Sequence, residues 1–311
     1  MKGPFQTGQN RCWNSTGDDT DCNDSGQDGE SRSGAPWPEP RFNIGQDTVT
    51  DCAVGLVWLK NAGLSDFPLS WQEALDFVAD LNRKKFVGRD GWRLPRRREL
   101  FLLVSHTRIN PAIVHADLFE NIFNGYYWTG NTCARLPDQA WYIHAGGGRV
   151  VRGMKHQSAM VWPVHDPDEK TNQEKTIETS IDPDQRFQTK NSIVFDRETE
   201  LQWMRNADVT GRAVTWSQAL EKIHQLNREQ ADGFRDWRLP NIRELESLVA
   251  LSRHSPAICG TDCFDRVQDF YWSSTTSVYE PAYAWALYTR DGYIGVGHKA
   301  DAIFFVWPVR G

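Results

Sequence analysis

The sequence lacks any long apolar stretch, and it lacks the short motifs that mark common cofactor sites. No apolar run approaches the roughly 18 residues that a membrane-spanning helix needs, and the first six residues, MKGPFQ, contain no apolar signal-peptide core. There is no Gly-rich phosphate loop, no Cys-x-x-Cys-His haem motif and no zinc-like spacing of Cys and His. These absences argue against a membrane-spanning protein and against the common cofactor enzymes.

Positive charge is also in short supply. The chain has 35 Lys and Arg against 41 Asp and Glu, a net charge of −6, which argues against a general nucleic-acid binder because phosphate neutralisation needs a cationic surface. The 39% of hydrophobic residues are nevertheless enough to bury a sizeable core. A length of 311 residues predicts two domains.

Tryptophan is abundant, with 14 residues, and an internal repeat accounts for most of them. Shifting the chain against itself by 145 positions, or by 144 over part of the second half, superposes Gly-Trp-Arg-Leu-Pro on Asp-Trp-Arg-Leu-Pro and Val-Trp-Pro-Val on itself. Twelve tryptophans form repeated pairs: Trp58/Trp203, Trp71/Trp216, Trp92/Trp237, Trp128/Trp272, Trp141/Trp285 and Trp162/Trp307. A repeat this long is a duplicated globular domain, since solenoid periods are roughly 20–50 residues.

The repeat divides the chain into four parts. We expect copy 1 over residues 41–165 and copy 2 over residues 186–311, joined by a charged linker over 166–185. Residues 1–40, here called the leader, are rich in Gly, Ser, Asp and Asn and cannot form a core of their own. We expect the leader to lie along copy 1, held by Trp13, Trp37 and a Cys12–Cys22 bridge.

Each copy shows the same predicted elements. Ser70 and Thr215, each followed three residues later by Glu or Gln, are typical N-caps of an amphipathic helix. Pro95 and Pro240 predict the start of a second helix, because proline is favoured at the first helical position. Short alternating strands separated by glycine-bearing turns follow. Each copy is therefore predicted to be an α+β domain with two helices and a short-stranded antiparallel sheet.

The spaced motifs Gly-Leu-x-Trp, Trp-Arg-Leu-Pro-x-x-x-Glu-Leu, Tyr-Trp-(Ser/Thr)-(Ser/Gly), Ala-Trp and Val-x-Pro-Val resemble the Lcl C-terminal domain family. That family takes its name from a collagen-like bacterial surface adhesin and has long been catalogued as of unknown function. The resemblance covers both copies and the leader. It implies two tandem domains similar to the C-type lectin and sulfatase-modifying-factor (formylglycine-generating-enzyme) fold group, export from the cytoplasm, and a link to adhesion on anionic glycans.

Most candidate sites have a simpler structural explanation. The tryptophans recur in pairs and are interpreted as core. Arg93, Glu99 and their counterparts Arg238 and Glu244 have no repeated His, Ser or Cys beside them, so they are interpreted as structural. Calcium-dependent sugar binding is disfavoured because Ala282 stands where a lectin would place asparagine. We predict no enzyme activity and no cofactor, with a structural calcium ion in the acidic leader as the alternative.

One feature peculiar to copy 1 suggests a ligand. Three arginines in the first turn of a helix oppose its macrodipole, at a cost of roughly 0.3 kcal/mol or more each. They form part of a basic patch, the candidate ligand-binding residues, made of Arg83, Lys84, Lys85, Arg89, Arg96, Arg97 and Arg98. A solvated face paired with nearby acids such as Asp90 is the competing interpretation.

Six cysteines allow complete pairing, with 15 possible connectivities. Cys12–Cys22 and Cys259–Cys263 would each close a short loop, which leaves Cys52–Cys133 as the third predicted bridge. Bridges persist in oxidising compartments, so we expect an extracellular, cell-surface or periplasmic protein whose signal peptide is absent from this sequence.

Two hypotheses about function remain. The first is an exported adhesion module that binds an anionic polysaccharide through the basic patch. The second is a structural or accessory subunit that binds other protein subunits in a cell-surface assembly. Neither involves nucleic acid or a membrane-spanning segment, and the sequence leaves the oligomeric state open.

Overall fold

A computed structural model describes residues 4–167 and 183–311 of the chain. The described residues form two compact units. One contains residues 37–167, and the other joins residues 4–36 to residues 183–311. Most of the predicted linker, residues 168–182, lies outside the described residues.

The leader contains little regular structure. Its elements are β1 (Cys12–Trp13), β2 (Asp19–Thr20) and α1 (Asp28–Ser31). The two short strands pair antiparallel, and a disulfide joins Cys12 to Cys22 beyond them, as predicted. The leader is thus a small disulfide-closed hairpin followed by a single helical turn.

Copy 1 has two helices and eight short strands. In chain order they are β3 (Phe42–Ile44), β4 (Thr48–Asp51), β5 (Leu56–Leu59), α2 (Trp71–Arg83), β6 (Trp92–Arg93), α3 (Arg97–Leu102), β7 (Tyr126–Thr132), β8 (Gln139–His144), β9 (Val150–Met154) and β10 (Val164–His165). The first sheet has the order β3-β4-β5-β10-β6, so the last strand of the copy lies beside its early strand β5. Strands β7, β8 and β9 form a separate antiparallel meander.

Copy 2 repeats this plan with one additional short helix. Its elements are α4 (Pro183–Arg186), β11 (Phe187–Lys190), β12 (Ile193–Asp196), β13 (Gln202–Met204), α5 (Trp216–Arg228), α6 (Ile242–Ser247), β14 (Phe270–Thr276), β15 (Tyr283–Tyr288), β16 (Tyr293–His298) and β17 (Val309–Arg310). Its first sheet has the order β11-β12-β13-β17, and strands β14, β15 and β16 form the meander. Both halves therefore mix helices with antiparallel strands, as predicted.

The long helices begin where the capping pattern places them. Ser70 caps α2 and Thr215 caps α5, each through a complete capping box. The second helices begin two residues later than predicted, at Arg97 and Ile242. The prolines are not the first helical residues, because the carboxylates of Glu99 and Glu244 reach back to the main-chain N–H groups of the capping residues.

The repeated tryptophans form the core, as predicted. Eleven of the twelve are buried in their copies, and the exception, Trp71, is partly exposed. Trp58 lies in the first sheet between Val49 and Val164, and Trp203 has an equivalent place in copy 2. Four pairs also donate their indole N–H to the same main-chain position in each copy: Trp71/Trp216, Trp92/Trp237, Trp128/Trp272 and Trp162/Trp307.

Two of the three predicted disulfides are wrong. Cys52 and Cys133 are both free, the first exposed and the second buried. They lie on different sheets of copy 1, after β4 and after β7. No disulfide joins Cys259 to Cys263; a main-chain hydrogen bond from the Cys263 N–H to the Gly260 oxygen, at 2.9 Å, lies in the loop between them.

Candidate functional site

The leader packs on copy 2, which corrects the expectation that it lies along copy 1. Its Gln9, Asp28 and the main chain at Trp13 all bond to residues of copy 2. The surface that receives it is built from the end of β14, the residue after β16, and the start of α6. We call this surface the leader face of copy 2; it comprises Trp216, Asn241, Thr275, Thr276 and Lys299.

The side-chain amide of Gln9 bonds to the main chain at the edge of β14, as the main chain of a neighbouring strand would. Its side-chain amide donates to the Thr276 main-chain oxygen at 2.5 Å, and its Oε1 accepts from the Thr276 N–H at 3.1 Å. Gln9 is only 3% exposed, so both bonds are shielded from water. This contact recognises the main chain of copy 2 and uses no side chain of Thr276.

Asp28 is a fully buried carboxylate of the leader. Its Oδ2 accepts hydrogen bonds at 2.7 Å from the hydroxyls of Thr7 in the leader and Thr275 in copy 2. Burial raises the pKa of Asp28 to about 6, although both hydroxyl bonds oppose the shift. Its other oxygen, Oδ1, accepts no hydrogen bond from the described residues. One carboxylate oxygen of Asp28 is therefore hydrogen-bonded and the other is not, and the group is protonated more easily than an exposed aspartate.

Lys299 supplies the opposite charge. Its ammonium donates to the main-chain oxygens of Trp13 at 3.0 Å and Asn14 at 3.3 Å, and it lies 4.2 Å from the ring centroid of Trp216. Burial lowers the pKa of Lys299 to about 7, because the main-chain oxygens and the aromatic face do not replace its lost hydration. The lysine holds the leader by its backbone, independent of the side chains at positions 13 and 14.

Two further contacts hold the leader at the tip of its hairpin, at Gly17, and near its C-terminal end, at Ser33. Asn241 caps α6 with its Oδ1 and donates its Nδ2 to the Ser33 oxygen at 3.0 Å. Gly17 lies so close to copy 2 that a Cβ there would be 2.7 Å from the Ala282 nitrogen. Any side chain at position 17 would therefore push the hairpin away from copy 2.

The carboxylate of Glu30 accepts hydrogen bonds from other residues of the leader. The Glu30 oxygens accept from the N–H groups of Asp24 and Gly26 at 2.7 Å and from the Ser25 hydroxyl at 3.3 Å. Among the described residues, no group of three or more His, Cys, Asp or Glu side chains is arranged to hold a metal ion. Asp28, another acidic residue of the leader, accepts hydrogen bonds from the hydroxyls of Thr7 and Thr275.

The predicted basic patch divides into two sets of residues. The first set, Arg83, Lys84, Lys85 and Arg89, is exposed at the C-terminal end of α2 and in the turn after it. Arg83 and Lys84 pair with Asp80 at 3.0 and 2.5 Å. These four cations form a real surface cluster.

The second set, Arg96, Arg97 and Arg98, includes one residue of the interior of copy 1. Arg97 is fully buried, with its guanidinium 4.9 Å from the ring centroid of Trp141, so it is not a surface residue. Arg96 is partly exposed and pairs with Glu99 at 3.4 Å, while Arg98 is partly exposed. The prediction of a seven-residue surface patch is wrong at Arg97, which packs on an aromatic ring instead of facing solvent.

The arginine of the Trp-Arg-Leu-Pro motif pairs with the following glutamate in each copy. Arg93 forms two hydrogen bonds to Glu99, at 2.7 and 2.8 Å, and Arg238 does the same to Glu244 at 2.6 and 2.7 Å. These pairs link the strand region before each second helix to its first turn.

A second repeated ion pair escaped the sequence analysis. The pairs Arg41–Asp51 and Arg186–Asp196 are both buried, with closest distances of 2.7 and 2.6 Å. The sequence signal for this pair is that both residues recur, because Arg41 and Arg186, like Asp51 and Asp196, occupy equivalent positions of the repeat. The sequence signal for leader docking is weaker and consists of the repeated lysines Lys155 and Lys299.

A family comparison agrees with the duplicated plan. The sequence profile of the Lcl C-terminal domain matches residues 47–165 and again residues 192–310. The chain belongs to the Lcl C-terminal domain family. Its two family domains stand in tandem, and the leader lies outside both matched ranges. No curated protein matches the chain. Within the described residues, no helix combines the length and apolar character needed to cross a membrane.

Proposed function

We propose that this protein is a non-enzymatic binding module of an exported assembly, and that its Lcl C-terminal domains hold extended polypeptide segments without a cofactor. The observation that carries this proposal is the leader face of copy 2. There, Lys299 and Thr276 bind a separate stretch of the chain through main-chain groups and one amide side chain. Two buried ionisable groups, Asp28 in the leader and Lys299 in copy 2, both form hydrogen bonds across this contact.

The mode of recognition suits a subunit that joins other protein chains. Main-chain bonding gives affinity with little dependence on sequence, as in strand addition to a sheet edge. The buried Asp28 makes the contact that depends on the sequence of the bound segment. A segment without a hydrogen-bond acceptor at that position would leave the Thr275 hydroxyl with no group in the segment to donate to. This supports the accessory-subunit hypothesis over adhesion through the whole basic patch.

Two further observations support export and the C-type-lectin-like fold. The Cys12–Cys22 disulfide is of the kind that persists in the periplasm or outside the cell, which supports an exported protein. In each copy the last strand pairs with an early strand, β10 with β5 and β17 with β13, which supports the proposed C-type-lectin-like fold.

The proposal can be tested by cutting the leader from the body of the protein. A protease site inserted after the exposed Glu39 would allow cleavage of the folded, oxidised chain. We expect the cut leader to stay bound and to co-elute with the rest of the chain in size-exclusion chromatography. In a Lys299→Met variant the cut leader should dissociate at least tenfold faster, because two charge-assisted bonds are lost.

A Lys155→Met variant, altered at the equivalent lysine of copy 1, is the matched control and should retain the leader like the parent protein. Immediate loss of the cut leader from the parent protein would contradict the proposal. So would equal retention by the parent and by Lys299→Met.

A second candidate function rests on the exposed cations of copy 1. Arg83, Lys84, Lys85 and Arg89 correspond in copy 2 to Arg228, Glu229, Gln230 and Phe234, so the cluster is not part of the shared fold. We propose that these four residues bind an anionic polysaccharide.

Retention on a sulfated-polysaccharide column tests this. Changing all four cations to Glu should abolish salt-dependent retention. The charge-matched control changes four exposed arginines of copy 2 to Glu, and we expect it to keep retention: Arg212, Arg228, Arg235 and Arg253. Equal losses in both variants would show a nonspecific charge effect and contradict a site on copy 1.

A further inference from the structure

We propose that copy 1 binds a second leader-type segment, supplied by a partner chain, on the face equivalent to the leader face of copy 2. This inference rests on the proposed function and names the partner's chemistry. The face in question, here called the open face of copy 1, comprises Trp71, Arg96, Asn131, Thr132 and Lys155. Each of these residues occupies the repeat position of a residue that holds the leader in copy 2.

The lysine and its aromatic support are built identically in the two copies. The Lys155 ammonium lies 4.3 Å from the Trp71 ring centroid, against 4.2 Å for Lys299 and Trp216. The main-chain N–H of Trp71 donates to the main-chain oxygen of Lys155, and the main-chain N–H of Trp216 donates to that of Lys299 in the same way. A cation that captures two main-chain oxygens in copy 2 is therefore in the same place in copy 1.

The polar contact to Asp28 also has its counterpart. In copy 2 the Thr275 hydroxyl accepts from the Ile242 N–H and donates to Asp28. In copy 1 the Asn131 Oδ1 accepts from the Arg97 N–H at 2.7 Å. The side-chain amide of Asn131 carries its own N–H donors, so this position keeps both an acceptor for the helix and a donor for a carboxylate.

The main chain that Gln9 pairs with is repeated as well. Thr132 pairs with Ala140 across the same register shift that separates Trp272 from Thr276 in copy 2. Thr276 uses its N–H and its oxygen to bind the Gln9 amide, on the side away from β15. The same edge of β7 at Thr132 suits a Gln side chain.

Exposure separates the two faces. In copy 2, Trp216, Thr275, Thr276 and Lys299 are all at most 1% exposed. Their counterparts in copy 1, Trp71, Asn131, Thr132 and Lys155, are all partly exposed. The same polar and aromatic groups that the leader covers in copy 2 are open to solvent in copy 1.

The charges indicate what covers the open face. The leader has six acidic residues against two arginines over residues 4–36. Where copy 2 presents the neutral Asn241, copy 1 presents Arg96, so its face is the more cationic of the two. This chain's own leader is already committed to copy 2. The occupant is therefore an acidic leader-type segment of another chain, with a Gln and an Asp at the positions of Gln9 and Asp28.

The test uses a synthetic peptide of residues 4–36, with its two cysteines oxidised and a fluorescent label, added to the full-length protein. We expect saturable binding of one peptide per chain by fluorescence anisotropy. Lys155→Met should weaken binding at least tenfold, and Asn131→Asp should do the same because the new carboxylate faces the peptide's Asp28. The copy 2 variant in which Arg212, Arg228, Arg235 and Arg253 are changed to Glu serves as the surface-charge control and should change binding less than threefold.

A charge swap keeps the test decisive if Lys155→Met folds poorly. A peptide carrying Asp28→Asn should bind the Asn131→Asp protein better than the unmodified peptide does, because amide and carboxylate have exchanged places. Absence of saturable binding at about 1 mM peptide would overturn the inference. The inference would also be overturned if neither Lys155→Met nor Asn131→Asp changed peptide binding while Lys299→Met abolished it. That result would mean that the peptide replaces the leader on copy 2. Retention of the cut leader by copy 2 in either case would leave the proposed function standing.

Discussion

The ammonium group of Lys299 donates a hydrogen bond to the main-chain oxygen of Trp13, 286 positions earlier in the sequence, at 3.0 Å. This bond places a positive charge against the backbone of a segment that has no core of its own. Several polar bonds hold the leader on copy 2. Each of them can be weakened singly, which makes leader docking accessible to measurement.

Lys299→Met should release the leader from copy 2. Hydrogen bonds to charged groups contribute about 1.5–3 kcal/mol, so we expect faster amide exchange over residues 5–33 by a factor of ten or more. Hydrogen–deuterium exchange with mass spectrometry measures this directly. Lys155→Met, the matched change in copy 1, should leave leader exchange unaltered. Equal exchange in both variants would mean that Lys299 does not hold the leader.

Leader docking should be weakest between about pH 6 and pH 7. Burial raises the pKa of Asp28 from 3.8 to about 6, so docking binds a proton and weakens as the pH rises through that window. Burial lowers the pKa of Lys299 from 10.5 to about 7, so docking releases a proton and strengthens as the pH rises above 7. Dissociation of the cut leader measured from pH 4 to pH 10 should therefore show a rate maximum near neutrality.

Single substitutions separate the two limbs of this pH profile. Asp28→Asn should flatten the dependence below pH 6 and keep the rise in affinity above pH 7. Lys299→Met should flatten the dependence above pH 7 and keep the loss of affinity as the pH rises to about 6. A profile that keeps both limbs in both variants would assign the titration to other groups.

The two equivalent tryptophans on the leader-type faces should differ in their contribution to stability. Trp216→Ala removes a side chain that is 1% exposed and should lower the free energy of unfolding by about 3–5 kcal/mol. Trp71→Ala should cost less, because Trp71 is partly exposed. Urea denaturation of both variants checks the order. Equal losses would show that the leader does not contribute to burying Trp216.

Arg97→Glu should destabilise copy 1. Arg97 is fully buried, so a carboxylate there would lose its hydration and face the electron-rich ring of Trp141; we expect a loss of about 3 kcal/mol or more. Arg89→Glu, at an exposed position, should change stability by less than about 0.5 kcal/mol. Thermal unfolding of the pair decides between a surface and an interior role.

Thiol chemistry should follow burial among the free cysteines. Cys52 is exposed and should react with a thiol reagent in the native, unreduced protein, whereas the buried Cys133 should react only on unfolding. Peptide mapping after alkylation reads out each site. Protection of both in the native protein and their joint release by reductant would restore the predicted Cys52–Cys133 bridge.

Features set by neighbouring residues were predictable from sequence. Ser70 and Thr215 cap their helices through partners three residues away, and the tryptophan pairs recur because both copies need the same core. Leader docking was not predictable, since Asp28 and Gln9 meet residues 247 and 267 positions away. Their partners, Thr275 and Thr276, have the sequence appearance of ordinary strand residues.

The errors have a similar origin. Arg97 was assigned to the surface from its charge and its place in a helical turn, but its burial depends on Trp141, which lies on a strand distant in sequence. The Cys52–Cys133 pairing came from elimination, and elimination carries no information about which sheet each residue joins.

The leader and its binding face are made at different times when a ribosome synthesises the chain. Residues 4–36 are synthesised before copy 1, whereas Thr275, Thr276 and Lys299 follow only after all of copy 1 has been made. Throughout that interval the leader has no site on copy 2. Docking of the leader on copy 2 therefore reports that copy 2 has been completed and folded, and a chain truncated before Lys299 would leave the leader without that site.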